Sequence, residues 1–427
     1  MNKLSNEPYK GTSDWYPEEY AIRKYIFDTW RKVCTNYGYQ EYLTPLVEKA
    51  DIYRAKSGED LGGKELMIMT DRAGREIAIR PEMTPSVTRM ISRVYEGETK
   101  PIRYFSIANF MRGEKPQRGR NREFWQLNYD IFGVESVSAD IEILQIALDI
   151  VLSLNPPKES FTLFVNNRKL IDEVLNNYAS IPENQKTEVV RILDKWEKTD
   201  QTYLISRLTE IGIEEDQIKY LQAFMISEDS ETLEKNIPGI KDCDGYKEIE
   251  TIISTLQSLG YGEWIKFQPN IIRGFDYYDG MVFEVFDNHP ENNRAMYGGG
   301  RYNGLAELFG SNSFPATGCA PGDETMRLFI ESWKLKESIL KEIEVENIYI
   351  PLLTANASTT INILANKLRK EGRIVEIGLE IKTMGKAFKY ADKKKFTQII
   401  IIGDEELVEN KYKIKDLRSG SEESINL

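Results

Sequence analysis

The chain has 427 residues, 41% hydrophobic and 29% charged, too long for one ordinary core and balanced like a soluble globular protein of two or three domains. Its single histidine, His289, excludes a histidine-rich metal site, and three dispersed cysteines (Cys34, Cys243, Cys319) lack zinc-ligand spacing and suit a reducing cytoplasm. The net charge of −12 argues against nucleic acid as a partner, but residues 347–427 carry 14 basic and 11 acidic side chains, so a tail of net +3 sits on a body of net −15 and RNA stays open.

The first residues have no apolar signal core, and the longest aliphatic run, 399–402, cannot cross a bilayer. A cytoplasmic protein with no membrane partner is expected. A first helix is predicted over 17–37, with Tyr20, Ile26, Trp30, Val33, Cys34 and Tyr37 on one stripe, Pro17 in the first turn and Gly38 as the stop. Residues 41–47 predict a strand whose Pro45 places it at an edge or an interface. The run Gly58-Glu59-Asp60-Leu61-Gly62-Gly63-Lys64-Glu65 imitates a P-loop, but Glu65 stands where a magnesium-binding Ser or Thr belongs and no apolar strand leads into it.

Strands follow at 76–80, 102–112 and 123–132, the last two an antiparallel pair joined by a short basic loop. A helix is expected at 141–152 and a strand at 161–165. Residues 168–259 are charged, glycine-poor and helical in pattern, as in an inserted module. Strands resume at 264–267, 282–286 and in the glycine-rich 297–302. A charged linker, 336–346, leads from a body of 1–335 to a tail of 347–427 that reads β-α-β-α-β. Its second helix carries Lys386, Lys389 and Lys393 at i, i+3 and i+7, a pattern shared by a solvated face and an RNA contact.

Chemistry concentrates between residues 110 and 132. Arg112, Lys115, Arg118, Arg120 and Arg122 against Glu114 make the loop attractive to phosphate. In the following strand Trp125, Leu127, Tyr129 and Ile131 alternate with Gln126, Asn128 and Asp130, so amide and carboxylate groups line one face. That face suits either the floor of a polar small-molecule pocket or the wet side of an edge hairpin. Arg80-Pro81-Glu82-Met83-Thr84 offers a carboxylate and a hydroxyl able to bind an ammonium group, although a surface turn explains it equally. Arg273-Gly274-Phe275-Asp276-Tyr277-Tyr278 and Gly298-Gly299-Gly300-Arg301-Tyr302 add aromatics beside exposed backbone.

Together these segments resemble the class II aminoacyl-tRNA synthetases, and the histidyl family in particular. Residues 41–47 are similar to motif 1, 110–133 to motif 2, 273–278 and 299–305 to the two stretches peculiar to histidyl enzymes, and the tail to their anticodon-binding domain. The resemblance implies an α+β fold: an antiparallel-sheet catalytic domain (1–335) with a helical insertion (168–259), then a small α/β anticodon-binding domain (347–427). It implies ligation of L-histidine to tRNA(His) through a histidyl-adenylate, with ATP and Mg2+, by a homodimer. Arg112 and Arg120 would hold the ATP phosphates. Arg273 would bridge the histidine carboxylate and the α-phosphate, making Arg112 and Arg273 the catalytic pair. Glu82, Thr84, Gln126, Asp130, Tyr277, Tyr278 and Tyr302 would bind histidine. Lys115 and Gln117, with Lys386, Lys389 and Lys393, would contact tRNA, and no protein metal site is implied.

Two positions depart from the family pattern. Asp130 stands where many bacterial members have glutamate, roughly 1.5 Å less reach. In the motif 3 frame 316–325, Thr325 holds the expected arginine position, and Arg327 would point roughly 200° away on a helix. The competing expectation is a non-catalytic paralogue such as the regulatory subunit of ATP phosphoribosyltransferase, which would need neither a basic motif 2 loop nor an RNA-binding tail.

Overall fold

The helix Pro17–Asn36 starts on its proline and stops before Gly38, whose φ of +80° an L-residue rarely adopts. Ile22, Ile26, Phe27, Trp30, Val33 and Cys34 are buried, whereas the predicted stripe member Tyr20 faces outward. Arg23 is the unexpected buried member: its guanidinium lies 2.7 Å from Asp323 and 3.0 Å from Glu324, fastening this helix to the helix Asp323–Ser332. The computed structural model describes residues 4–55, 65–196, 199–272, 278–292 and 294–427. The P-loop imitation, apart from Glu65, lies outside them.

The predicted strand at 41–47 is two short strands, β1 (Gln40–Glu41) and β2 (Val47–Lys49). Pro45 lies between them, where no ladder hydrogen bond is needed. Next come β3 (Met67–Thr70), β4 (Glu76–Ile79), β5 (Ile102–Met111), β6 (Glu123–Phe132) and β7 (Phe161–Asn167). β8 (Ile265–Phe267), β9 (Met281–Asp287), β10 (Arg294–Arg301) and β11 (Ala316–Cys319) follow. Strands β2, β4 and β3 form a small antiparallel sheet. The other eight form one sheet in the order β1-β5-β6-β11-β10-β9-β7-β8, antiparallel except at its two ends, where β1 runs parallel to β5 and β8 to β7.

The central hairpin pairs Ile102 with Phe132 through to Met111 with Glu123, without a slip. Its alternation sorts the strand as expected. Leu127, Tyr129 and Ile131 join a core formed with Trp30, Ile143, Phe161 and Val285, while Phe124 and Phe132 sit in a second cluster with Phe110, Met83 and Tyr302 on the opposite face. The helix behind the sheet spans Val137–Leu152, four residues longer at its start than the pattern indicates, with Ser136 still in extended backbone.

The described residues of 168–259 are mainly helical, from Arg168–Glu173 to Asp244–Ser258. They share one continuous core with the sheet: Leu221, Ile249 and Leu256 belong to the same cluster as Leu163 and Val165.

The chain divides into two units at residues 340 and 341, within the helix Lys336–Glu342, so much of the expected linker is helical. In the second unit, β12 (Asn347–Leu352), β13 (Ile374–Ile381), β14 (Gln398–Ile401), β15 (Lys411–Asp416) and β16 (Glu422–Asn426) make a sheet in the order β13-β12-β14-β15-β16. The predicted β-α-β-α-β core is present, and an antiparallel ribbon of β15 and β16 extends it. The helix Met384–Lys393 buries Ala387 and Ala391 and exposes Lys386, Lys389 and Lys393.

Candidate active site

β6 supplies the floor. Asp130 is buried, and its Oδ1 accepts the phenol of Tyr302, itself buried at the end of β10, at 2.5 Å. Burial pushes the Asp130 carboxyl up to about 7, opposed by the Tyr302 hydrogen bond. The space for this carboxylate depends on Gly318 of the neighbouring strand β11, opposite Asp130 in the ladder: a Cβ there would fall 1.9 Å from Asp130 Oδ1. The glycines of β10 serve the same crowding, since a Cβ on Gly299 would fall 2.1 Å from the Gly318 carbonyl. The expected close approach at this glycine run is therefore that of a neighbouring strand.

Two residues along the floor, Asn128 is buried and its amide reaches Gln126 Oε1 at 3.4 Å, while Gln126 Nε2 donates to the Ala320 carbonyl at 3.1 Å. Tyr278 is half-buried against the aromatic cluster that holds Tyr302. Glu82 is buried two residues before Thr84, the first residue of the helix Thr84–Ser92. Arg80, just upstream, is structural: Nε donates to the Asn109 carbonyl and Nη1 to the Thr44 carbonyl, both at 2.9 Å.

Arg112 stands at the mouth of the hairpin loop. Its Nε donates to the Pro81 carbonyl at 3.1 Å, and its guanidinium lies 4.9 Å from the centre of the Phe124 ring. Burial lowers its pKa and the nearby Glu82 carboxylate opposes that. Arg120 is exposed and reaches Glu114 at 3.5 Å; Gln117 and Arg120 exchange backbone hydrogen bonds that close the loop tip, leaving Lys115 and Gln117 exposed. The structure thus brings Glu82, Arg112 and the floor residues to one region of the first unit. Arg273 and Tyr277 lie outside the described residues.

This arrangement coincides with a family match. A histidyl-tRNA synthetase model matches residues 11–324, and an anticodon binding domain model matches residues 347–427. The chain belongs to the histidyl-tRNA synthetase family. It is 39% identical to a histidine–tRNA ligase of Leptospira biflexa over 98% of this chain and 94% of that protein. It is 33% identical to one from Pyrococcus horikoshii, over 99% and 96%. In fold it is similar to histidyl-tRNA synthetase from Nostoc, with a TM-score of 0.82 over 99% and 97% of the two chains at 23% identity. The Staphylococcus aureus synthetase gives 0.73 over 100% and 97%, at 25% identity.

Within that family frame, motif 3 shows what became of the expected arginine. Thr325 lies in the first turn of the helix Asp323–Ser332, and its hydroxyl donates to the Met296 carbonyl at 2.8 Å and lies 3.0 Å from that of Gly322. Arg327 does not substitute for it, being paired with Glu324 at 3.3 Å and Glu331 at 3.1 Å. Arg301, in the second histidyl stretch, is also structural: it is buried and bonded to Asp140 and to the carbonyls of Val134 and Ser136.

Tyr42 carries no sequence signal and belongs to the site region all the same. Its backbone amide is held by the Phe105 carbonyl, and its hydroxyl is buried without a hydrogen-bond partner, close enough to Asp130 to feel its charge and to Tyr302 to act on it. Only strand pairing puts it there.

Proposed function

We infer that this chain is a histidine–tRNA ligase: it activates L-histidine with ATP and passes the histidyl group to tRNA(His). The observation that carries the reading is the pairing of Asp130 with Tyr302 on a buried polar floor in the same unit as the arginine-rich hairpin. A neutral or anionic Asp130 offers hydrogen bonding to an imidazole nitrogen, and Tyr278 is the second candidate partner. Glu82, Thr84 and Gln126 would take the substrate's ammonium and carboxylate groups. Tyr302 acts by orienting Asp130, and Tyr277 is assigned to the pocket on the family resemblance alone.

In the first step a carboxylate oxygen of histidine attacks the α-phosphorus of ATP. The new phosphorus–oxygen bond forms as the bond to pyrophosphate breaks. Arg112, with Arg273, stabilises negative charge at the α-phosphate, and Arg120 takes the outer phosphates. In the second step a ribose hydroxyl of the terminal adenosine attacks the acyl carbon, and AMP leaves. Catalysis is by positioning and electrostatics, consistent with a chain that has one histidine, which packs on Trp333. Among the described residues no group of three or more His, Cys, Asp or Glu is arranged to hold a metal. Mg2+ fits here as an ion carried mainly by the phosphate oxygens of ATP, where it would neutralise their charge.

Lys115 and Gln117 at the loop tip would meet the acceptor end of tRNA, and Lys386, Lys389 and Lys393 its anticodon arm. Leu43 and Leu46 are 70% and 42% exposed between β1 and β2, which supports a homodimer built on this segment. No helix of the described residues is long and apolar enough to cross a membrane, and cytoplasmic location is part of the proposal.

A solved ATP phosphoribosyltransferase regulatory subunit/histidyl-tRNA synthetase from Bacillus halodurans has the same fold, with a TM-score of 0.77 over 93% and 98% of the chains at 20% identity. The fold is common to both, and the retained arginine hairpin favours the enzyme. The deciding experiment is pyrophosphate exchange into ATP with each amino acid in turn. Exchange with histidine alone is expected. Exchange with none would overturn the enzyme, and exchange with another amino acid alone would overturn its specificity.

A further inference from the structure

Arg294 opens β10 and lies in none of the segments that signal the family. Its Nη1 donates to the Arg118 carbonyl in the hairpin loop at 2.8 Å. Its Nε and Nη2 are buried with no hydrogen-bond partner. The loop closes on it so tightly that a Cβ on Gly119 would fall 1.8 Å from Nη2. Burial and the like charges of Arg120 and Arg118 disfavour its protonated form, and Asp287 favours it. Asp287 is already committed, accepting from Asn292, Trp333 and the His289 amide.

A buried N–H of a charged group without a partner is costly, and two on one guanidinium form a fork that matches adjacent phosphate oxygens. The position of this fork is informative. Thr325, at the place of the family's arginine, bonds the carbonyl of Met296, two residues along β10 from Arg294. β10 breaks register between Ala295 and Tyr297, a bulge of the kind that re-aims side chains beside active sites. The same strand end therefore receives the motif 3 helix and presents an arginine under the motif 2 loop.

We propose that Arg294 binds the terminal phosphate of ATP and the departing pyrophosphate, supplying from β10 the cation that this chain lacks at Thr325. The proposal rests on the ATP-dependent reading above. In it, the loop draws back from Nη2 at Gly119 when nucleotide arrives, and Nε and Nη2 then take two oxygens of the outer phosphates in its place.

The test is calorimetric titration of the full-length protein and its Arg294→Gln variant with ATP, AMP and inorganic pyrophosphate, with Arg294→Lys carrying the same test if the glutamine variant does not fold. Losing a charged fork is expected to weaken ATP and pyrophosphate binding about tenfold to a hundredfold. AMP, which lacks the outer phosphates, should bind within about twofold of the parent on the same reasoning. Unchanged ATP and pyrophosphate affinity would overturn the proposal. Equal losses for ATP and AMP would also overturn it and make Arg294 a rivet for the loop. Failure of the wider reading is seen separately, as absence of histidine-dependent pyrophosphate exchange in the parent protein, and pyrophosphate binding still reports on Arg294 in that case.

Discussion

Tyr302 donates its phenol to Oδ1 of Asp130 across 2.5 Å, joining two buried residues 172 positions apart in the chain. That bond opposes the desolvation that raises the Asp130 carboxyl, so the pair sets the charge of the pocket floor near neutral pH.

Asp130 should leave a signature in stability. With its folded-state pKa at about 7, the native protein holds a proton that the unfolded chain releases near pH 4. Stability from this group is complete below about pH 4 and is lost as pH rises to about 7. Asp130→Asn removes the effect, so between pH 5 and 8 the parent should lose roughly 2–3 kcal/mol relative to the variant. Denaturant unfolding of both proteins across that range checks it, and parallel profiles would place the titration elsewhere. Asp323, also raised to about 7, is common to both proteins and cancels.

Tyr302→Phe removes the bond that holds the Asp130 pKa down, so more of the carboxyl stays protonated at pH 7. KM for histidine in the exchange reaction should rise about tenfold at pH 7, on the scale of one hydrogen bond to a charged group, and recover in part at pH 9. A KM change of the same size at both pH values would mean that Tyr302 acts by shape alone.

Gly318→Ala should be severe although it adds one methyl group. The new Cβ meets Asp130 Oδ1 at 1.9 Å and the Tyr129 carbonyl at 2.9 Å in the middle of the sheet. The expected cost is about 1–3 kcal/mol in thermal or denaturant unfolding, accompanied by loss of histidine-dependent exchange. A variant with unchanged KM for histidine would show that Asp130 can move without consequence.

Arg112→Lys keeps the charge but loses the planar fork, the Pro81 hydrogen bond and the guanidinium face against Phe124. Exchange turnover should drop about a hundredfold or more with little change in KM for histidine. Arg273→Ala should abolish exchange while leaving the melting temperature near that of the parent. Unfolding of that variant would instead make Arg273 a structural residue.

Replacing Lys386, Lys389 and Lys393 together with alanine should leave pyrophosphate exchange intact and raise KM for tRNA in aminoacylation. If all three meet phosphates, the slope of log affinity against log salt should shrink by about three. An unchanged slope would return the lysine row to the role of a solvated face.

The sequence by itself determined the features that repeat over a few residues. The alternation of Gln126, Asn128 and Asp130 against Leu127, Tyr129 and Ile131 identified a two-faced strand, and the arginines between 112 and 122 marked a phosphate-attracting loop. Pro45 gave notice of an interruption, though not that it would split one strand between two sheets. The strand at Ala316–Cys319 is illegible because four residues with a glycine carry almost no periodicity, and the helix Thr84–Ser92, although Thr84-Pro85 is a start signal like Pro17, is too short at nine residues for a clear stripe. Tertiary structure alone decided which polar groups are spent and which remain to act. Arg80, Arg301 and Arg327 are engaged in structural bonds, whereas Arg294 keeps two buried nitrogens without partners and Tyr42 keeps a buried hydroxyl. Residue type and spacing are local, but burial and hydrogen-bond pairing are set between segments as far apart as Arg118 and Arg294.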